Sequence, residues 1–261
     1  MTVLLALDLV GVFFFALSGN LLAARRQFDI TGGFTLGVLA GLGGGITRDV
    51  LLGEVPNALQ NPIYFVPPVL AAVLVYLFGR QLDNARSSIV AFDAGGLALF
   101  VITGTTIALD AGLPVFSALL LGVTSGVGGG LIRDVVANEV PAVFDASNLY
   151  VVPAVTGAAL TALADGLNIL HWTVGLGIAV FVFVFRMASW WKGWSVPQQV
   201  REWTFRDLQT TGRGAMWRPR GATSPGGSAA DHGDHDHEHG DDPGDDDPGA
   251  DGGDDLRRLR S

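Results

Sequence analysis

GVLAGLGGGITRDVLLGEVP, residues 37–56, returns as GVTSGVGGGLIRDVVANEVP, residues 122–141, at an offset of 85 that carries Gly37 onto Gly122. Inside each copy a glycine falls every fourth residue (Gly37, Gly41 and Gly45; Gly122, Gly126 and Gly130), which puts each set on one face of a helix. A face without side chains lets a second backbone come close, as small-residue stripes do between membrane helices. Gly43 and Gly44, with Gly128 and Gly129, exceed what such a stripe needs and weaken the helix where they cluster, so a kink or break is expected at both triplets. Directly after each comes charge: Arg48 with Asp49, and Arg133 with Asp134.

The surrounding chain is apolar. Of its 261 residues 49% are hydrophobic, although the last forty or so are almost purely polar, so the body is more apolar than the average. Several stretches approach the roughly 20 apolar residues that cross a bilayer, and they lack the polar stripe of a soluble core helix. The fold class expected is an all-α integral membrane protein. With no cysteine, disulfides, thiolate metal sites and cysteine nucleophiles are excluded. The net charge of −9 comes largely from the C-terminal tail and says little about partners of the membrane part. The first apolar run has no basic flank before it and no small-residue cleavage site after it, which reads as a retained first helix.

Seven spans are expected: residues 3–24, 33–52, 63–78, 89–109, 114–137, 149–163 and 172–187. The offset of 85 also aligns Asp8 with Asp93, Gly19 with Gly104 and Pro68 with Pro153 without a gap. The chain therefore divides into a first three-helix repeat (3–84), a second (88–169), an added seventh helix (171–188), a juxtamembrane segment (189–220) and a disordered acidic, histidine-rich tail (221–261). Three spans is an odd number, so the second repeat must enter the membrane inverted, the arrangement in which transport sites form near the midplane. The ends after spans one, three, five and seven share a side and hold Arg25, Arg26, Arg80, Arg86, Arg133, Arg186 and Lys192, against Arg48 alone opposite. Basic residues mark the cytoplasmic side, which places the N-terminus outside and the C-terminus in the cytoplasm. Trp190, Trp191 and Trp194 with Arg186 and Lys192 read as a headgroup-level anchor.

Arg48 lies about fifteen residues into its span, roughly 22 Å along a helix, where it either snorkels to the interface or faces a watery interior. With the inversion, Arg48 and Arg133 would guard opposite ends of one path. Asp8 and Asp93 open otherwise apolar spans, and either complement a helix N-terminus or pair with an arginine of the glycine helices. Glu54 and Glu139 fall in surface turns. The tail run 231–240, DHGDHDHEHG, is a solvated low-complexity segment or a weak divalent-metal site. Phosphate loops, zinc-protease spacing and the dinucleotide fingerprint are missing, so no enzyme and no cofactor is expected. A basic nucleic-acid surface is missing too.

Two three-helix repeats plus a seventh helix, with GLGGGITRD and GVGGGLIRD in spans two and five, resemble the prokaryotic trimeric intracellular cation channels, a family whose sequences are also labelled glycine transporter domains. The resemblance covers about residues 4–188. It implies a homotrimer in the plasma membrane of a bacterium or archaeon, with a potassium-permeable pore inside each protomer. The pore would be lined by kinked helices, the kinks falling at Gly43, Gly44 and Gly45 and at Gly128, Gly129 and Gly130. The Lys-Glu-Val headgroup motif of animal members is absent from span two. A secondary transporter of a small amino acid such as glycine is the alternative, with broken-helix termini facing a substrate carboxylate. A membrane scaffold of close-packed glycine helices is a third reading.

Overall fold

The computed structural model describes residues 2–78, 85–145 and 149–194. The expectations for the juxtamembrane stretch beyond Trp194, for the acidic tail and for its histidines lie outside the described residues. The elements are α1 (Thr2–Arg25), α2 (Ile30–Leu51), α3 (Asn57–Gln60), a short 3-10 helix (Pro62–Phe65), α4 (Val66–Phe78), α5 (Ala85–Asp110), α6 (Val115–Val136), α7 (Val151–Gly166) and α8 (Trp172–Lys192). Among the described residues five stretches are long and apolar enough to cross a membrane: Val3–Arg25, Ile30–Leu51, Arg86–Asp110, Val115–Val136 and Trp172–Lys192. Pro62–Phe78 and Val151–Gly166 are apolar but shorter.

Local chemistry sets the boundaries, and it repeats. The Asp29 side chain caps α2 by accepting from the Gly32 amide at 2.7 Å. After α2 the chain turns at Gly53 with φ 78°, and after α6 at Asn138 with φ 54°, the residue 85 positions on. Both turns close as Schellman motifs: the Glu54 amide donates to the Asp49 carbonyl at 2.9 Å, and Glu139 to Asp134 at 2.8 Å.

Packing is organised about the same offset. α1 packs on α2, α4 and α5, while α5 packs on α6, α7 and α8. Phe15 and Phe100, 85 apart and both fully buried, lie against each other with ring centroids 5.6 Å apart. Each ring covers a glycine of the opposite helix: a Cβ on Gly96 would lie 2.6 Å from Phe15 Cδ2, and one on Gly11 2.8 Å from Phe100 Cδ2. At the centre α2 crosses α6, where a side chain on Gly44 would meet the Ser125 carbonyl and one on Gly129 the Ala40 carbonyl. Ala40 and Ser125 are themselves 85 apart. Residue numbers thus run in opposite senses along the two helices, and the contact maps onto itself when they are exchanged.

The break expected at the glycine triplets is not there. Both helices run unbroken as α-helix through Gly43–Gly45 and Gly128–Gly130. Glycine's weak helix propensity, about 1 kcal/mol per residue, is a local term; in an apolar interior each backbone group needs a partner, and the helix supplies it. The glycines act through close approach of the two backbones.

Candidate functional site

Among the described residues two arginine and carboxylate clusters are buried, one near the C-terminal end of each glycine helix. Arg48, 1% exposed, is the largest of the wholly buried side chains. Its Nε donates to Asp49 Oδ1 at 2.8 Å, and its Nη1 and Nη2 reach both oxygens of Asp8 on α1, at 3.1 and 3.5 Å. Asp8 accepts further bonds from the Tyr64 hydroxyl at 3.0 Å and the Thr103 hydroxyl at 3.2 Å. The second oxygen of Asp49 turns outward and accepts from the Asn57 backbone amide at 2.8 Å, pinning the start of α3. Asp8 is thus a buried acceptor in the middle of a network, away from any helix terminus it could complement.

The second cluster repeats the plan with different closing groups. Arg133 donates from Nε to Asp134 Oδ1 at 2.8 Å and from Nη1 to Asp93 Oδ1 at 2.9 Å. Asp134 Oδ2 accepts from the Ala142 amide at 3.1 Å, the counterpart of the Asn57 contact. The Arg133 Nη1 group also donates to the Ser18 hydroxyl at 2.8 Å. Ser18 and Thr103 are 85 apart, so each unit lends one hydroxyl to the cluster of the other. Neither arginine snorkels: both are held by two carboxylates each, the geometry that offsets the several kcal/mol lost when an ion leaves water.

The clusters differ in their tyrosines. Tyr64 donates to Asp8, whereas its register counterpart is Leu149, and it is the next residue, Tyr150, that reaches the second cluster. A Cβ on Gly130 would be 2.9 Å both from Asp93 Oδ1 and from the Tyr150 hydroxyl, yet that hydroxyl is buried without a hydrogen-bond partner. On the far side of the ring lies Arg186 of α8, its Cζ 4.9 Å from the ring centroid. Arg186 is 2% exposed, and its Nε and Nη1 are buried without partners. The headgroup anchor expected of Arg186 is therefore corrected: α8 packs on α5 and α7 and turns this residue inward. Trp191, 84% exposed, and the exposed Lys192 stay outside.

Glu139 sits in the surface turn after α6 and pairs with Arg26 at 2.6 Å, which puts the C-terminal ends of α1 and α6 on one side. The cavity beside Arg48, walled by Asp8, Tyr64 and Phe100 among others, measures only about 10 Å³, which is room for one water at most. A wider cavity of about 790 Å³ between α1, α2 and α4 touches neither arginine. No group of three or more metal-ligating side chains occurs among the described residues.

Ser18, Tyr64, Thr103, Tyr150 and Arg186 are cluster members that sequence reasoning passes over. Ser18 and Thr103 carried a signal, a hydroxyl conserved in position at the repeat offset inside apolar helices. Tyr150 is out of register and carried none.

Fold and site together define a helical membrane protein whose two like units cross at bare backbone and bury an arginine between carboxylates in each. Comparison with known proteins agrees. The family model described as "Glycine transporter" matches residues 5–80 and 90–165. The UPF0126 membrane protein of Deinococcus radiodurans is 42% identical over 154 residues, 58% of this chain and 72% of that protein. The UPF0126 membrane protein YvgT of Bacillus subtilis is 35% identical over 74% of this chain and 95% of its own length. Among solved structures, the TRIC trimeric intracellular cation channel orthologue from Rhodobacter sphaeroides matches with a TM-score of 0.70 and 30% identity, over 74% of this chain and 100% of that one. The chain belongs to this glycine transporter family, which takes in the UPF0126 and TRIC proteins.

Proposed function

We propose that the protein is a channel for monovalent cations, potassium among them, working as a homotrimer with one conduction route inside each protomer. The observation that carries the reading is the match along the whole length of the Rhodobacter sphaeroides channel orthologue. The geometry supports it: two buried polar clusters stand at opposite ends of the α2 and α6 crossing, and at each of them carboxylate oxygens face guanidinium and hydroxyl groups. Weakly binding oxygen groups along a narrow route are what conduction needs. With about 10 Å³ beside Arg48, the route is shut in this conformation. Conduction requires the Arg48 and Asp8 pair to part, and Tyr64 and Thr103 are the partners that must yield with it.

The repeats carry three spans each and lie inverted, with α8 as a seventh span, a topology favoured by the opposed running of α2 and α6. The N-terminus is outside and the C-terminus inside the plasma membrane; the shared side of Arg26 and Glu139 fits that arrangement. Division of the chain at 3–84, 88–169 and 171–188 follows from the same repeat.

Glycine transport is the second reading, and the family description favours it. Such a transporter needs helix termini or a free cation to receive the substrate carboxylate. Here α2 and α6 are continuous, each glycine-helix arginine already holds two carboxylates, and the remaining buried arginine of the described residues, Arg186, lies over the Tyr150 ring. The purified protein in liposomes separates the readings: potassium efflux under a potassium gradient, without uptake of labelled glycine, is the expected result. Concentrative glycine uptake with no single-channel current would overturn it.

A further inference from the structure

Arg186 lies outside the doubled unit, in α8, yet it is brought over Tyr150 beside the second charge cluster. The ring of Tyr150 is the link: Arg186 lies over its face at 4.9 Å from the centroid, while its hydroxyl and Asp93 Oδ1 flank Gly130, each 2.9 Å from where a Cβ there would lie. A guanidinium over an aromatic face in a dehydrated setting is held by the ring's negative face, which explains how it stays buried with two nitrogens unbonded. Its consequence is electrical. The first cluster sets Asp8 and Asp49 against Arg48 alone and keeps one net negative charge. The second sets Asp93 and Asp134 against Arg133 and Arg186 and is neutral.

Resting on the channel reading above, we propose that Arg186 makes the conduction route electrically lopsided and so gives its current a direction. Cations gather at the end that holds the negative charge, the α2 end, which the basic-residue asymmetry places outside. Current carried inward from that end exceeds current carried outward at equal and opposite voltage. The imbalance grows at low ionic strength, because salt screens fixed charge over about 10 Å at 0.1 M.

The test is planar-bilayer recording of the full chain in symmetric potassium chloride. The parent should pass more inward than outward current. Arg186→Gln gives the second cluster the same net charge as the first, and the rectification should vanish as outward current rises. Arg186→Lys keeps the charge and should keep the rectification, which separates charge from packing. Asp8→Asn joined to Arg186→Gln moves the surplus negative charge to the other end and should reverse the sense of rectification. Parent-like rectification in Arg186→Gln would overturn the proposal, as would loss of rectification in Arg186→Lys. A parent that passes no current would overturn the channel reading and this proposal with it, whereas a conducting parent with an unresponsive Arg186→Gln overturns this proposal alone.

Discussion

The first cluster is closed and the second is left open, although an arginine and two carboxylates at the repeat offset build the centre of both. Around Arg48 every partner is matched: Tyr64 and Thr103 complete Asp8, and Asn57 completes Asp49. Around Arg133 the tyrosine hydroxyl finds no acceptor and a second guanidinium stands behind it. A one-residue displacement of the tyrosine, from the register of Tyr64 to that of Tyr150, is enough to separate the two. A close repeat in the glycine helices thus leaves the flanking turns free to give the ends of the molecule different electrostatics.

The largest expected effect breaks that comparison directly. Arg48→Ala leaves two buried carboxylates with no cation and should destabilise the folded protein by about 3–5 kcal/mol. Arg133→Ala should cost measurably less, because Arg186 remains over the Tyr150 ring at that cluster. Unfolding of both variants in detergent micelles, followed by circular dichroism, checks this; equal losses would mean that Arg186 is not coupled to the second cluster.

Next comes the crossing, where the two halves are alike. Gly44→Leu and Gly129→Leu each drive a side chain into a backbone carbonyl, of Ser125 and Ala40 respectively. Overpacking of this kind costs about 1–3 kcal/mol, and the two variants should suffer equally, inserting into membranes but losing potassium flux. Unequal losses would show that the centre is less symmetric than its contacts. Parent-like flux in both would remove α2 and α6 from the route.

A finer test sits at the tyrosines. Tyr64→Phe removes a bond to Asp8 and should cost about 0.6–1.7 kcal/mol, the range for hydrogen bonds between membrane helices. Tyr150→Phe removes a hydroxyl that has no partner and should be neutral or stabilising. The smallest effect is expected from deleting residues 221–261: a composition of Gly, Pro, Asp and His builds no core, so particle size by light scattering and flux should both stay at the parental value.

Much of this was readable from residues alone, because a repeat transmits both helix and turn. The offset seen in GLGGGITRD and GVGGGLIRD carries through to Gly53 and Asn138 and to Gln27 and Gly112, pairs of left-handed residues that end corresponding helices. The continuity of α2 and α6 was not readable, since helix propensity counts glycines one helix at a time and the contact that holds them is made by the other helix. Arg186 was hidden for a different reason. It sits among Trp190, Trp191 and Lys192, where a buried and a snorkelling arginine look the same in sequence. Only the packing of α8 against α5 and the position of Tyr150 decide between them.

The location of the closed cluster also bears on how the chain is made. Asp8, Arg48, Asp49, Asn57 and Tyr64 all belong to the first 64 residues, so only the Thr103 hydroxyl arrives later. A chain emerging N-terminus first can neutralise its first arginine inside the bilayer before the second unit leaves the ribosome. Arg133 meets its carboxylates in the same order, Asp93 made 40 residues before it and Asp134 directly after, but its Ser18 hydroxyl is already in place and Arg186 arrives last. Synthesis order then makes Arg186 of α8 the last of the described buried charges to arrive, and a nascent chain stalled before it would hold both arginine and carboxylate sets with equal net charge.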